Sequence, residues 1–473
     1  MEDGTIRRRG DTMSQTKLVT DFTQGSIPKK MIRFAVPFMI SNALQVLYAL
    51  VDMIVVGQVV GSYGLSAVSV ASQVFMFMTM ICLGFSTGGQ VYISQLIGIG
   101  ENRKLNRTIG TLFTITILFG IVMSVLGLLF GEPLLRLLNT PTESFSLAYD
   151  YLIVCSIGIL FTYGYNMISA VLRGMGDSRH PFLFIAIASV INMVLDILFV
   201  AGFGWKTMGA ALATILGQGA SFLFALWFLH RRKEAFGFDF KLSSFRIDGQ
   251  IAKKLASLGI PFAMQSAAIN ISMMYVNALV NSVGVHASAV FGVGLKVDDI
   301  ANKISLGVSF AVSSMVGQNK AAGKYDRVKR IVWTSWKISV VWYALFAVVL
   351  FCFPEPVFRI FTSDPPVLEL APTFVYAIVW SFPAMAIMKG TGGLIQGLGN
   401  ARLTLVFAML DAVILRIGLS YLLGIAWNMG LFGFILGYGL AAYGTAIPGA
   451  IYFFSGRWKT YRTVVASDPG EEA

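Results

Sequence analysis

Four residues with oxygen acceptors lie inside long apolar runs of this chain: Asp52, Asn192, Asp196 and Thr214. Insertion scales put an aspartate at the centre of a membrane helix at roughly 2.5–3.5 kcal/mol, so an acid kept there needs a partner or a task. Asn192 and Asp196 are four residues apart and share one helical face. Counted inward from Gly57, Gly202 and Gly209, the residues Asp52, Asp196 and Thr214 all lie roughly 7–9 Å deep at 1.5 Å per residue. Two carboxylates at one depth, away from water, cannot both stay charged without a large electrostatic cost, and one proton or one Na⁺ relieves it. Asn192 and Thr214 offer neutral oxygens that suit a hard cation or a protonated acid. A shared proton needs no further ligands, which favours H⁺ over Na⁺ as the coupling ion. Apart from that Na⁺ alternative at Asp52, Asn192, Asp196 and Thr214, no metal and no cofactor is expected.

A second set of charges interrupts apolar runs further along. Lys296, Asp298, Asp299 and Lys303 fall within about two helical turns of FGVGLKVDDIANKISLGVSF. Lys296 with Asp299, and Asp299 with Lys303, have the spacing of helix-surface ion pairs, which leaves Asp298 without a partner on its own helix. Asp411 and Arg416 share a later run, and counting from the outer ends puts Arg416 near the level of Asp298 and Asp411 near that of Lys303. The cluster reads either as structural pairing or as a substrate or second charge site.

Such residues need membrane helices to position them. The 473 residues are 56% hydrophobic and 13% charged, against about 25% charged in soluble domains. Windows of about 20 residues mark twelve runs, centred on 31–56, 65–97, 108–130, 145–172, 181–202, 209–229, 254–282, 288–318, 328–353, 367–395, 403–425 and 431–455. They predict an all-α membrane protein of twelve transmembrane helices with no soluble domain. The first 30 residues hold Arg7, Arg8 and Arg9 but no apolar signal-peptide core.

The net charge of +12 arises mostly in short loops. Alternating the loops between two sides leaves only Arg136, Lys206 and Arg359 on one of them, with Lys296, Lys303, Lys337, Lys389 and Arg416 inside the runs. The remaining Lys and Arg share the side of both termini, which makes that side cytoplasmic and gives no reason to expect nucleic acid as a partner. A fixed offset of 223 relates Gly84/Gly307, Gln95/Gln318, Arg107/Arg330, Gly174/Gly397 and Gly176/Gly399, among others. The runs therefore form two six-helix lobes in a parallel internal repeat, because six spans return the chain to the side it started from. The expected divisions are a cytoplasmic tail at 1–30, a lobe at 31–230, a basic cytoplasmic hinge at 231–253, a lobe at 254–456 and a cytoplasmic tail at 457–473. At the same offset Tyr275, Leu415, Leu419 and Gly437 replace Asp52, Asn192, Asp196 and Thr214, so the first polar cluster is peculiar to one lobe.

Other motifs read as structure. GEPLLRLL and PEPVFRIF each place Glu four residues before Arg (Glu132/Arg136, Glu355/Arg359), as in an interfacial helix. RGMGDSR and QGLGNAR suit tight turns after helices, with a gating contact as the alternative. Pro37 and Pro261 are matched kink sites. Cys82, Cys155 and Cys352 have no metal-ligand spacing. GQNKAAGKY has the wrong spacing for a phosphate loop and Tyr325 where Ser or Thr is needed, and the three histidines are far apart, so no enzyme is expected.

Twelve spans in two lobes, VDMIVVGQ around Asp52, NMVLD in the fifth span and the RGMGD/QGLGN pair together resemble the multidrug and toxic compound extrusion (MATE) family over about residues 25–460. The resemblance implies an antiporter of the cell (plasma) membrane that exports amphipathic, often cationic organic compounds by alternating access against inward H⁺ or Na⁺. It places Asp52, Asn192, Asp196 and Thr214 at the coupling-ion site of the branch that keeps this site in the first lobe. The branch with an acid in the seventh span is not matched, since GIPFAMQSAAINISMMYVNALV has none. The implied partners are small organic substrates and membrane lipids, and the protein is expected to be a monomer. A flippase for a lipid-linked saccharide is the alternative, with Lys296, Lys303 and Arg416 facing a pyrophosphate; a membrane receptor or scaffold is a third reading.

Overall fold

Lipid offers the backbone no hydrogen-bond partners, so long apolar runs close their backbone bonds internally as helices. In a computed structural model, which describes residues 19–466 except Asn139 and only the backbone of Asn102, twelve helices are long and apolar enough to cross a membrane. They are Ile27–Val59, Ser62–Ile99, Arg103–Leu137, Thr142–Gly174, Arg179–Gly202, Lys206–Arg231, Gly249–Asn281, Val285–Ala321, Tyr325–Cys352, Pro365–Gly397, Ala401–Ala426 and Gly430–Phe454, spans 1 to 12. Large apolar side chains such as Leu129, Val341, Leu345, Trp380 and Ile414 are left uncovered by protein, as a lipid-facing surface requires. The outer parts of both expected tails, with Arg7–Arg9, lie outside the described residues.

The repeat is visible in the packing. In the first lobe span 2 packs on 4, span 1 on 5 and span 4 on 6; in the second, span 8 packs on 10, span 7 on 11 and span 10 on 12. The lobes meet where span 1 lies on span 8 and span 2 on span 7. Repeat-related glycines sit at those two crossings. A Cβ on Gly84 would fall 2.5 Å from the Gly259 carbonyl oxygen, and one on Gly307 would fall 2.9 Å from that of Ala35, so only glycine allows these backbones so close.

The end of the molecule that carries the termini is stitched across the lobes by another repeat pair. The Gln318 side chain in span 8 accepts from the Phe22 backbone N–H (2.8 Å) and donates to the Thr20 carbonyl (3.2 Å). The Thr20 N–H in turn donates to the Met175 carbonyl in the first lobe (2.9 Å). Gln95 in span 2 mirrors this: it donates to the Gly397 carbonyl (2.9 Å) and accepts from the Val464 N–H (3.0 Å). Arg327 and Asn319 of the second lobe also donate to the Phe22 carbonyl, and Phe22 is buried. Both glycine motifs do form turns beside these contacts. Gly176 and Gly399 adopt φ of 85° and 78°, and Asp177 and Asn400 accept from the backbone that follows.

Three features depart from the sequence reading. The connection after span 6 is not a loose hinge: Phe236 and Phe238 are buried, Thr114 donates to the Phe245 carbonyl, and the Asp248 N–H donates to Thr111 of span 3. Its apolar residues outweigh its basic ones and fix it to the first lobe. The GEPLLRLL segment simply continues span 3, whereas PEPVFRIF starts a separate helix (Pro354–Arg359), because Pro354 cannot donate a bond back into the preceding helix. Finally, spans 5 and 11 contain π-helical turns at Ile197–Gly202, Leu410–Ile417 and Leu422–Ala426.

Candidate functional site

Asp52 sits in the C-terminal half of span 1, which packs on span 5 and on the π turn that ends it. Asp196 is the last residue before that turn and has no exposed surface. Asp196 lies within electrostatic reach of Asp52, and Tyr48, one turn away on span 1, lies within reach of both. Asn192 donates through Nδ2 to Thr214 Oγ1 (3.3 Å). These two line a small cavity with Tyr48, Ala188 and Gln218. The fold thus gathers Asp52, Asn192, Asp196 and Thr214 in one lobe and adds Tyr48 and Gln218, for which a lone polar residue in an apolar run was the only sequence signal.

The group is deficient in donors. Asp52 Oδ1, Asn192 Oδ1, Gln218 Oε1 and both carboxylate oxygens of Asp196 are buried without a hydrogen-bond partner in the protein. Orphaned buried acceptors are uncommon and costly, and a cluster of them is open to a donor from a protonated carboxyl, an ordered water or a cation. Oxygen ligands of this kind suit a proton or a hard cation rather than a soft metal.

The second charge cluster keeps the expected Asp299–Lys303 pair and the nearness of Arg416 to Asp298 but departs from the sequence expectation elsewhere. Lys303 pairs with Asp299 (2.8 Å) on a half-exposed face, and Lys296 points out of the protein. Asp411 does not sit with Lys303; its Oδ1 accepts from Arg416 (2.9 Å), five residues on. Both lie in the π-helical turn, whose own bonds run from i to i+5 and so stack residues five apart. Asp298 is buried, accepts from Asn302 (3.1 Å) and keeps Lys389 and Arg416 within electrostatic reach. Asn302 Oδ1 also accepts from Lys389 (3.2 Å) and from the Tyr343 hydroxyl (3.1 Å).

Between the lobes lies a cavity of about 450 Å³. Its apolar wall includes Phe38, Phe262, Phe310, Met388 and Phe407, and its polar wall Asn42, Gln45, Asn166, Gln265, Gln396 and Thr445. Two cations line it, Arg173 and Lys389, and no carboxylate does. Arg173 belongs to the RGMGD motif, so that segment serves the cavity as well as the turn. Its guanidinium lies over the rings of Phe38 and Phe310 (5.6 and 4.8 Å to the centroids), and its Nε donates to Gln90 (2.9 Å).

The two-lobed membrane fold is shared with known proteins. The chain is 31% identical over 442 residues to the probable multidrug resistance protein YpnP of Bacillus subtilis, covering 93% of this chain and 98% of that one. It is 26% identical to the probable multidrug resistance protein NorM of Thermotoga maritima, over 92% and 93% of the two chains. A solved outward-facing conformation of a multidrug resistance MATE family transporter superposes with a TM-score of 0.88 at 22% identity, over 93% of this chain and 98% of that one. The family model MatE matches twice, at residues 37–198 and 261–422, one match in each six-helix lobe. This integral multi-pass membrane protein therefore belongs to the MATE family of multidrug-efflux transporters.

Proposed function

We propose that the protein is a cation-coupled antiporter that exports amphipathic organic compounds across the cell membrane by alternating access, with H⁺ as the coupling ion. The observation that carries this reading is the buried, donor-free oxygen set of Asp52, Asn192, Asp196 and Gln218. A proton shared by Asp52 and Asp196 supplies the missing donor without further ligands, and Asn192 and Thr214 steady the protonated pair. Binding of the ion alters the packing of span 1 on span 5, and span 1 also lines the central cavity through Phe38, Asn42 and Gln45, which links the two sites.

The loop charges support cytoplasmic termini. On that assignment the stitched end faces the cytoplasm and the cavity is reached from outside. Rocking of the lobes about the glycine crossings, with Pro37 and Pro261 as pliable points in spans 1 and 7, then reverses access. Of the cations the flippase reading relied on, Lys296, Lys303 and Arg416, none lines the cavity, whose two cations are Arg173 and Lys389.

Export from proteoliposomes is to be driven by an imposed pH gradient and, separately, by an imposed Na⁺ gradient at fixed pH. Transport is expected under the pH gradient; robust export with Na⁺ alone overturns the proton assignment. A cysteine placed at Lys241 is expected to resist labelling from outside intact cells, and its modification there overturns the topology.

A further inference from the structure

We infer that the central cavity selects organic anions with a flat aromatic body, the anionic group being held by Arg173 and Lys389. This rests on the export reading above and narrows its substrate class away from the cations that the family resemblance implied.

The lining holds two cations and no acid. Arg173 is buried, and among the described residues it has no ion-pair partner and a single side-chain hydrogen bond, from Nε to the neutral Gln90. Its terminal nitrogens, free of protein acceptors, offer the paired donor geometry that suits a carboxylate, sulfonate or phosphate. Lys389 is not neutralised by direct contact either: it donates to the amide oxygen of Asn302, and Asp298 behind it is already engaged by Asn302 and flanked by Arg416. Of the other charges in that cluster, Asp411 pairs with Arg416 and Asp299 with Lys303, and Lys296 is exposed. An organic cation entering here would meet two like charges, whereas an anion supplies what is absent. The phenylalanines beside Arg173 give a flat ring system its stacking surface.

The experiment uses two dyes on one fused three-ring frame, anionic fluorescein and cationic rhodamine 123, with binding to the purified full-length protein read by fluorescence anisotropy. Fluorescein is expected to bind at least about tenfold more tightly, the size of one charge-assisted hydrogen bond. Lys389→Gln is expected to lower fluorescein affinity about tenfold, and Lys389→Arg to restore most of it. Since Lys389→Gln strips a counter-charge from buried Asp298, Lys389→Gln/Asp298→Asn is tested beside it and should show the same loss. Gln396→Glu, which adds an acid to the lining, should narrow or reverse the preference. Equal or weaker binding of fluorescein, including no binding of either dye, overturns the inference, as does unchanged fluorescein affinity in all the Lys389 variants. Binding is read with no ion gradient, so a failure of ion coupling leaves this result standing, and the reverse holds too.

Discussion

The two lobes repeat one packing scheme but treat their buried acids in opposite ways. In the first lobe Asp52 and Asp196 face each other with unsatisfied oxygens. In the second, Asp411 is bonded to Arg416, and Asp298 accepts from Asn302 through Oδ2 with two cations near it, although its Oδ1 also lacks a hydrogen-bond partner. The backbone tells the same story. The offset of 223 carries the π turn Ile197–Gly202 onto residues 420–425, overlapping the π turn Leu422–Ala426, so that irregularity belongs to the shared scaffold. The π turn Leu410–Ile417 belongs to the second lobe alone, and it brings Arg416 onto Asp411. A duplicated fold thus leaves the acids of one lobe without a cation of the protein's own, while the other sets its own cations beside its acids.

The largest effect that can break this contrast is expected at the first lobe. Asp52→Asn and Asp196→Asn should each reduce gradient-driven export to the level of protein-free liposomes while the purified protein still elutes as a folded species; full activity in Asp196→Asn removes the site from the mechanism. Next comes the closed pair of the second lobe. Asp411→Asn strands a buried guanidinium and should destabilise the protein by about 3–5 kcal/mol, read by thermal unfolding in detergent, while Asp411→Leu/Arg416→Leu recovers most of it. An unchanged melting temperature in the single variant means that the pair is not self-contained. A smaller change is expected from Asp298→Asn, which should weaken substrate binding severalfold through Lys389 and leave ion binding nearly intact; the reverse pattern would give both lobes a coupling role. The smallest is expected for Glu132→Gln and Glu355→Gln. Their ion pairs are more than half exposed on at least one side, so each should shift stability by less than about 1 kcal/mol.

Much of the site was legible because polar atoms in apolar runs are conspicuous. Asp52, Asn192, Asp196 and Thr214 stand out by type and depth alone, and the fold brings them together. Lys389 was equally visible as a cation inside a span, but its role depends on Asn302, 87 residues away. Arg173 was hidden by its place in a turn motif, where an arginine after an apolar helix reads as a cap. The Asp411–Arg416 pair escaped because spacing arguments look three and four residues ahead, and a π turn has no propensity signature to warn that five is the operative distance. Gln95 and Gln318 stood out only as a repeat; that they seize backbone rather than side chains depends on where the tails run.

Those two glutamines make the chain's own ends behave as tethered ligands. The segment around Phe22 and the one around Val464 each bridge the seam between the lobes. Attached by short linkers, they are present at an effective concentration in the millimolar range, so weak individual contacts suffice to hold the seam. In the proposed alternating-access cycle, opening this end would first have to release two segments that cannot diffuse away, and each would stay at hand to close the seam again.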